Sequence, residues 1–206
     1  VSMIANAIQR KVPFRWFVAD EVYGRDEKVR QFLEESQKSY VIAVACNEQY
    51  YLDSRVGSTR EHANRLADDQ WKRLSCGSGT KGERFYDWSL IEFESRLESG
   101  FQKGLLFRRS IENPTEIAYY MCHYAVGTKI EELVRVAGKR WAIESAFEQS
   151  KQEVGLAHYE VRSWKGWHRH ITLSMFAYAF LEVVRKKQDQ AVQESIKVPT
   201  ATIQKK

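Results

Sequence analysis

Acidic residues are missing from the start of this chain. Residues 1–19 contain neither aspartate nor glutamate, so Asp20 is the first carboxylate. Cysteines are also few: Cys46, Cys76 and Cys122 are odd in number, far apart and without CxxC spacing. This pattern argues against a disulfide framework and a zinc ribbon, and it favours a reducing compartment. We therefore expect a cytoplasmic protein.

Long apolar runs are absent as well. The longest, about residues 171–184, is shorter than the ~20 residues that a membrane-spanning helix needs. It predicts a buried helix packed on a sheet, and no membrane partner is expected. The first 13 residues lack the apolar run of a secretory signal.

The chain does contain enough apolar material for a core. Of its 206 residues, 43% are hydrophobic and 13% aromatic. The formal net charge is +5 and the pI is about 9.0. A basic balance permits a polyanionic partner but does not require one.

The order of patterns indicates an α/β fold. Residues 14–19 and 39–45 are typical of buried strands, and residues 25–36 between them have helical spacing. A strand, a helix and a second strand suggest a βαβ unit.

Strand-like runs then cluster without intervening helices, and helical patterns return near the end of the chain. These changes predict a first core part, a β-rich insertion, C-terminal helices and a mobile tail. Their predicted bounds are 1–46, 47–127, 128–186 and 187–206.

One helical run, RWAIESAFEQSK, carries the most informative charges. At about 100° per residue, Arg140, Glu144 and Lys151 lie within about 40° of one another. Ile143 and Phe147 form an apolar stripe beside them, which predicts partly desolvated charges. Such charges need a partner, an ion or a ligand.

Two interpretations of this run remain open. Arg140 and Glu144 could form an i,i+4 ion pair worth a few tenths of a kcal/mol, roughly 0.2–0.5. Alternatively, Glu144 could bind a metal ion while the two cations bind phosphate oxygens, as phosphoryl transfer requires. Asp20 would supply a second carboxylate, because it follows a buried strand, where α/β sheets commonly carry their sites. An ordinary helix cap is the alternative for Asp20.

With these residues the chain resembles the DDE-type transposases of bacterial insertion sequences. The matching branch carries a Tyr-x2-Arg-x3-Glu-x6-Lys signature, of which Arg140, Glu144 and Lys151 fit the last three elements and Ala137 replaces the tyrosine. FVADEVYG, around Asp20, resembles the block that holds the second catalytic aspartate. The resemblance covers about residues 10–186.

This resemblance implies a partial RNase H-like (retroviral integrase-type) core with a β-rich insertion and a C-terminal helical region. Asp20 and Glu144 would be catalytic and metal-binding residues for two Mg²⁺ ions, with Mn²⁺ as a substitute. Arg140 and Lys151 would bind DNA. Independently of the resemblance, Arg108 and Arg109 end a strand-like run and are candidates for contact with the DNA backbone, with a solvated strand edge as the alternative. The partners would be transposon ends and target DNA, and a homodimer is allowed.

The resemblance also implies a missing element. The family's first catalytic aspartate lies well upstream of the second, whereas no acidic residue precedes Asp20. We therefore expect a chain that lacks the family's N-terminal part and is inactive alone. A non-catalytic DNA-binding remnant is the alternative, and a plain structural domain is a third hypothesis.

Three tryptophans, Trp141, Trp164 and Trp167, could stack on bases, although large aromatics more often belong to a core. GSGTKGER lacks the GxxxxGK[ST] spacing of a phosphate-binding loop, and no Cys/His ligand spacing is present.

Overall fold

A mixed six-stranded sheet organises the first of two compact units, Val1–Ala142; the second begins at Ile143. A computed structural model describes residues 1–52, 55–79, 82–94 and 100–196. The helices are α1 (Ser2–Gln9), α2 (Glu21–Gly24), α3 (Glu27–Glu35), α4 (Thr59–Asn64), α5 (Ile130–Glu153) and α6 (Trp164–Ile196). The strands are β1 (Trp16–Ala19), β2 (Ser39–Val44), β3 (Gln49–Leu52), β4 (Arg55–Ser58), β5 (Lys72–Gly79), β6 (Gly82–Glu92), β7 (Phe101–Arg109) and β8 (Ile117–Ala125).

The strand order of the sheet is β1-β2-β8-β7-β6-β5. β1 and β2 are parallel, with Val18 opposite Val41, and the other neighbours are antiparallel. The predicted βαβ unit is present as β1, α3 and β2. The mixed α/β architecture expected from the sequence is therefore confirmed.

The sheet is covered on both faces. On one face, Leu133 and Val134 of α5 are fully buried with Leu106 and Trp88 of the sheet. On the other, Leu33 of α3 is buried in a cluster that includes the sheet residues Ile42 and Leu105. β2 lies between these layers, which explains its nearly continuous apolar sequence SYVIAV.

The sheet runs without interruption from the predicted core into the predicted insertion. β8 pairs with β2 over five residues, from Tyr40 opposite His123 to Val44 opposite Tyr119. The boundary between the two compact units falls inside α5, after Ala142. The division into core part, insertion, helices and tail stays a prediction. Residues 187–196 continue α6, and residues 197–206 lie outside the described residues.

One segment differs from its predicted structure. The sequence of residues 58–74, STREHANRLADDQWKRL, predicts a polar helical piece, and the turn-rich CGSGTKGE follows it. Instead α4 ends at Asn64 and residues 72–79 form β5, which pairs with β6. Alternate side chains of β5 point into the core, where Cys76 is buried. Pairing and burial override the local helical pattern.

The apolar run 171–184 is helical, but its expected burial is wrong. Phe176 is 70% exposed, and Leu173 and Phe180 are also largely exposed. Within the second unit, the carboxyl-terminal half of α5 lies along α6, with Gln149 accepting a hydrogen bond from Tyr178 and Glu153 pairing with Arg185. One helix covers one side of another, so the remaining apolar side chains are left uncovered. Over the described ranges, no helix combines the length and apolarity that crossing a membrane requires.

Candidate functional site

Asp20 stands directly after β1 and begins the short helix α2. Its Oδ1 accepts hydrogen bonds from the backbone N–H groups of Val22 at 3.1 Å and Tyr23 at 3.4 Å. The carboxylate thus caps α2, which is the alternative weighed for it from the sequence. Its side chain is exposed, and Oδ2 accepts no hydrogen bond within the described part of the chain. One carboxylate oxygen remains available to a ligand.

The position of Asp20 is fixed from both sides. Before it, Ala19 pairs with Ile42 of β2. After it, α2 packs so closely on β2 that a Cβ on Gly24 would lie 1.9 Å from the carbonyl oxygen of Ala43. Only glycine permits such an approach. The backbone on both sides of the carboxylate is therefore held against one strand.

A cleft of about 1020 Å³ opens beside this turn. Glu21 lines the cleft, whereas Asp20 does not. Its charge is mixed, because arginines and glutamates share the wall: Arg60, Arg84, Arg108, Glu21, Glu83, Glu112 and Glu116. Hydrogen bonds from Ser75 and Ser78 lower the pKa of Glu83, which keeps that carboxylate ionised.

Arginines and aromatic rings alternate at the wall between the sheet and α5. The guanidinium carbon of Arg108 lies 4.6 Å from the ring centroid of Tyr86. The guanidinium of Arg84 lies 4.9 Å from the ring of Trp141 and donates to the carbonyl of Gly138 at 3.1 Å. These contacts hold both cations in defined orientations.

Arg108 and Arg140, both proposed from the sequence, influence the pKa of the same tyrosine, Tyr120. Burial raises the pKa of Tyr120, and the positive charges of Arg108 and Arg140 oppose that rise. Arg108 of β7 and Arg140 of α5 therefore both lie within electrostatic reach of the Tyr120 side chain. We call Arg84, Arg108 and Arg140 the arginine cluster.

Arg109 points to the other face of the sheet. It pairs with Asp68 at 3.2 Å and with Asp87 at 3.6 Å, and its guanidinium lies 4.3 Å from the ring of Trp71. Its side chain is only 20% exposed. Strand alternation separates it from Arg108 although the two are adjacent in sequence.

α5 is one helix through Arg140, Glu144 and Lys151, as predicted. All three side chains are exposed, and Ile143 and Phe147 beside them are about half exposed. The predicted buried stripe and the desolvation of its charges are therefore wrong. Within the second unit, the buried residue of α5 among those described is Ser150. It follows Gln149, which accepts a hydrogen bond from Tyr178 of α6.

Asp20 and Glu144 belong to different compact units, and each is described within its own. Among the described residues, no three His, Cys, Asp or Glu side chains form a group that could hold a metal ion. The two carboxylates are suitable in kind, since hard divalent cations prefer oxygen ligands. Two carboxylates hold such ions less well than three.

Comparison with known families shows the family of the chain. The model of the transposase DDE domain family matches residues 2–180 of the chain. The chain belongs to this family. No curated protein gives a significant match. The resemblance to DDE-type transposases and the RNase H-like class of the fold are thereby confirmed, and the function is that of a transposase in general terms.

Within this DDE domain, sequence reasoning missed three members of the site. Arg84, Tyr86 and Tyr120 were seen only as parts of strands. The available signal was alternation: Arg84 and Tyr86 are two residues apart on β6, on the same face as buried Trp88. Which face meets α5 depends on the strand order, which the sequence does not show.

Proposed function

We propose that this chain carries part of the catalytic core of an insertion-sequence transposase. Its reactions would be cleavage of DNA at the transposon ends and strand transfer into target DNA. The observation that carries the proposal is the position of Asp20, at the carboxyl end of the parallel pair β1–β2, in a chain that matches the DDE family over residues 2–180.

The arginine cluster is the proposed contact with DNA phosphate. Guanidinium groups bind phosphate oxygens through two parallel hydrogen bonds. Arg84 and Arg108 are pre-oriented over aromatic rings, so less side-chain entropy is lost on binding. Lys151, exposed on the same helix as Arg140, would extend the contact. Arg109 as a DNA contact stays a prediction that this proposal does not use, because carboxylates occupy its guanidinium.

Asp20 and Glu144 would hold divalent cations, with Mg²⁺ as the proposed ion and Mn²⁺ as its substitute. Such ions activate the attacking oxygen and stabilise the leaving one in phosphoryl transfer. The protein's own contribution is to fix Asp20 through α2 and to orient phosphate through the arginine cluster. Since residues 1–19 supply no carboxylate, we expect cleavage by these 206 residues to be weak or absent.

DNA binding is the first test of the proposal. Fluorescence anisotropy with a labelled duplex should show an affinity that falls steeply with salt. Arg140→Ala should weaken binding about five- to tenfold and reduce the slope of log K against log salt by about 1. Arg135→Ala removes an exposed arginine from the same helix and serves as the matched control. Binding that is absent, or equally weakened by both variants, would refute the proposal.

A nicking assay separates the enzyme from the non-catalytic alternative. The absence of a three-carboxylate group among the described residues favours weak cleavage by the chain alone. Robust Mg²⁺-dependent cleavage abolished by Asp20→Ala would show that our expectation of inactivity is wrong and that the chain is a complete catalyst.

Assembly and location remain part of the proposal. We place the chain in the bacterial cytoplasm, bound to the nucleoid, which agrees with the free thiols of Cys46, Cys76 and Cys122. The proposal allows a homodimer, and sedimentation velocity with and without a duplex tests for it.

A further inference from the structure

A pair of stacked indole rings opens helix α6. Ser163 caps this helix, since its Oγ accepts from the N–H of Gly166 at 3.1 Å and its carbonyl accepts from the N–H of Trp167 at 2.9 Å. The cap places Trp164 in the first helical turn, where it is 74% exposed. Trp164 is therefore not a core residue.

The indole pair is held in place by its neighbours. The rings of Trp164 and Trp167 are stacked, with centroids 5.6 Å apart and planes 16° from parallel. His168 contacts both edge-on, at centroid distances of 4.3 Å and 4.9 Å. Trp167 is half-buried and forms the base of the stack. The exposed face of Trp164 is thus a fixed flat surface rather than a freely rotating side chain.

A pocket of about 360 Å³ adjoins the stack, within the second unit. Its lining consists of Val161, Arg162, Ser163, Trp164 and Trp167. The volume is near the lower end of the roughly 300–1,000 Å³ range of small-ligand pockets. It suits one planar ring system and is too small for a helix or a strand of protein.

The charged residue in the pocket lining is Arg162, and cations outnumber carboxylates along the adjoining chain, where Glu160 is the nearest acidic residue in sequence. From Val161 to Leu181 the chain contains no aspartate or glutamate, whereas Arg162, Lys165 and Arg169 are cationic and exposed. Aromatic faces with surrounding cations bind single-stranded nucleic acid, because bases stack on the rings while the cations follow the backbone. A purely apolar partner would gain nothing from these charges.

We propose that Trp164 stacks on an unpaired base of DNA, with Trp167 as its support and Arg162 next to the base's phosphate. This inference rests on the proposed action on DNA, and it adds a site for single-stranded DNA outside the carboxylates and the arginine cluster. The site selects DNA whose end or junction carries an unpaired nucleotide.

The test compares two labelled DNA molecules on the full chain: a blunt duplex and the same duplex with a three-nucleotide overhang. Unmodified protein should bind the overhang more tightly. Trp164→Ala should weaken overhang binding about fivefold or more and leave blunt binding unchanged. Trp164→Phe should retain most of the preference, whereas Trp164→Leu, apolar but without a π face, should lose it. Quenching of 2-aminopurine placed in the overhang should disappear in Trp164→Ala.

Phe176→Ala is the matched control, since Phe176 is a comparably exposed aromatic on α6, twelve residues away. Its overhang preference should equal that of the unmodified chain. Unchanged overhang binding in Trp164→Ala, with blunt binding intact, would overturn this inference alone. Failure to bind either DNA would overturn the proposed function as well. An oligomer that dissociates in Trp164→Ala while overhang affinity persists would identify a protein interface and also refute the stacking site.

Discussion

Gly24 and Ala43 meet backbone to backbone. A Cβ on Gly24 would lie 1.9 Å from the carbonyl oxygen of Ala43 and 3.1 Å from its carbonyl carbon. This contact holds α2 against β2, and Asp20 is the N-cap residue of that helix. The carboxylate proposed for catalysis is thus positioned by a glycine four residues later.

Substituting that glycine should disturb both stability and geometry. We expect Gly24→Ala to lower the free energy of unfolding by about 1–3 kcal/mol, because the backbone of α2 or β2 must shift. Urea unfolding followed by circular dichroism measures the change. Gly57→Ala is the control, since a Cβ there would meet side chains rather than backbone: His62 at 3.2 Å and Glu61 at 3.5 Å. Equal effects of the two substitutions would contradict the proposed role of the contact.

The capping role of Asp20 can be tested with two substitutions. Asp20→Ala should lower the free energy of unfolding by about 1 kcal/mol, because the cap of α2 is lost. Asp20→Asn should change stability by only a few tenths of a kcal/mol, roughly 0.5 at most, because asparagine caps equally well. If both variants are equally destabilised in urea, the hydrogen bonds to Val22 and Tyr23 do not stabilise the protein.

Arg109 should contribute more to stability than Arg73, which pairs with the same carboxylate of Asp87. We expect Arg109→Ala to lower the free energy of unfolding by about 1–3 kcal/mol, because Asp87, with a side chain only 15% exposed, loses a partner. Arg73 reaches the same carboxylate with a side chain that is 59% exposed, so Arg73→Ala should cost about 0–1 kcal/mol. Thermal melts of the two variants provide the comparison, and the reverse order would contradict this assignment.

Stability should fall on mild acidification because of His123. Burial lowers the pKa of this imidazole, which lies between Phe101 and Tyr40 and contacts the carbonyl of Lys38 at 2.9 Å. The unfolded chain, with an ordinary pKa of about 6.5, then binds the proton more readily than the folded one. The contribution of neutral His123 to stability is therefore fully present above about pH 6.5, and it is lost as the pH falls toward the lowered pKa of the folded state.

The matching measurement is urea unfolding at pH 7.5 and pH 5.5. His123→Gln removes the titrating group and should make the difference between the two pH values smaller. A difference of the same size in that variant would assign the acid sensitivity to other groups.

Much of the first unit could be predicted from local pattern. Alternating or continuous apolar residues located β1, β2 and the strands β6 to β8, and i,i+4 spacing located α3 through Val29 and Leu33. The position of Asp20 after a strand and the course of α5 through Arg140, Glu144 and Lys151 were also readable. These features follow from apolar residues that recur every two residues in strands or every 3.6 residues in helices, and such periods are visible in the sequence itself.

Other features depend on partners that are distant in sequence. The sequence did not reveal β5 because its strand character comes from pairing with β6. It also assigned Phe176 to the core, although this side chain is largely exposed. Arg108 and Arg109 look equivalent in the sequence, but strand alternation places Arg108 over the ring of Tyr86 and Arg109 beside Asp68 and Asp87. The periodicity of a sequence shows which residues share a face of a helix or strand. The contacts of that face depend on the topology of the fold.

The pairing of β2 with β8 has a kinetic consequence. Strands β5 to β8 are consecutive antiparallel neighbours, so each strand can pair with the preceding one after closing only a short loop. β2 must instead find a partner roughly eighty positions later in the chain, and closing so large a loop is entropically slow. We expect the four-stranded meander to assemble early and the docking of β1 and β2 to limit the folding rate. The turn that carries Asp20 would then be among the last parts of the molecule to reach its native form.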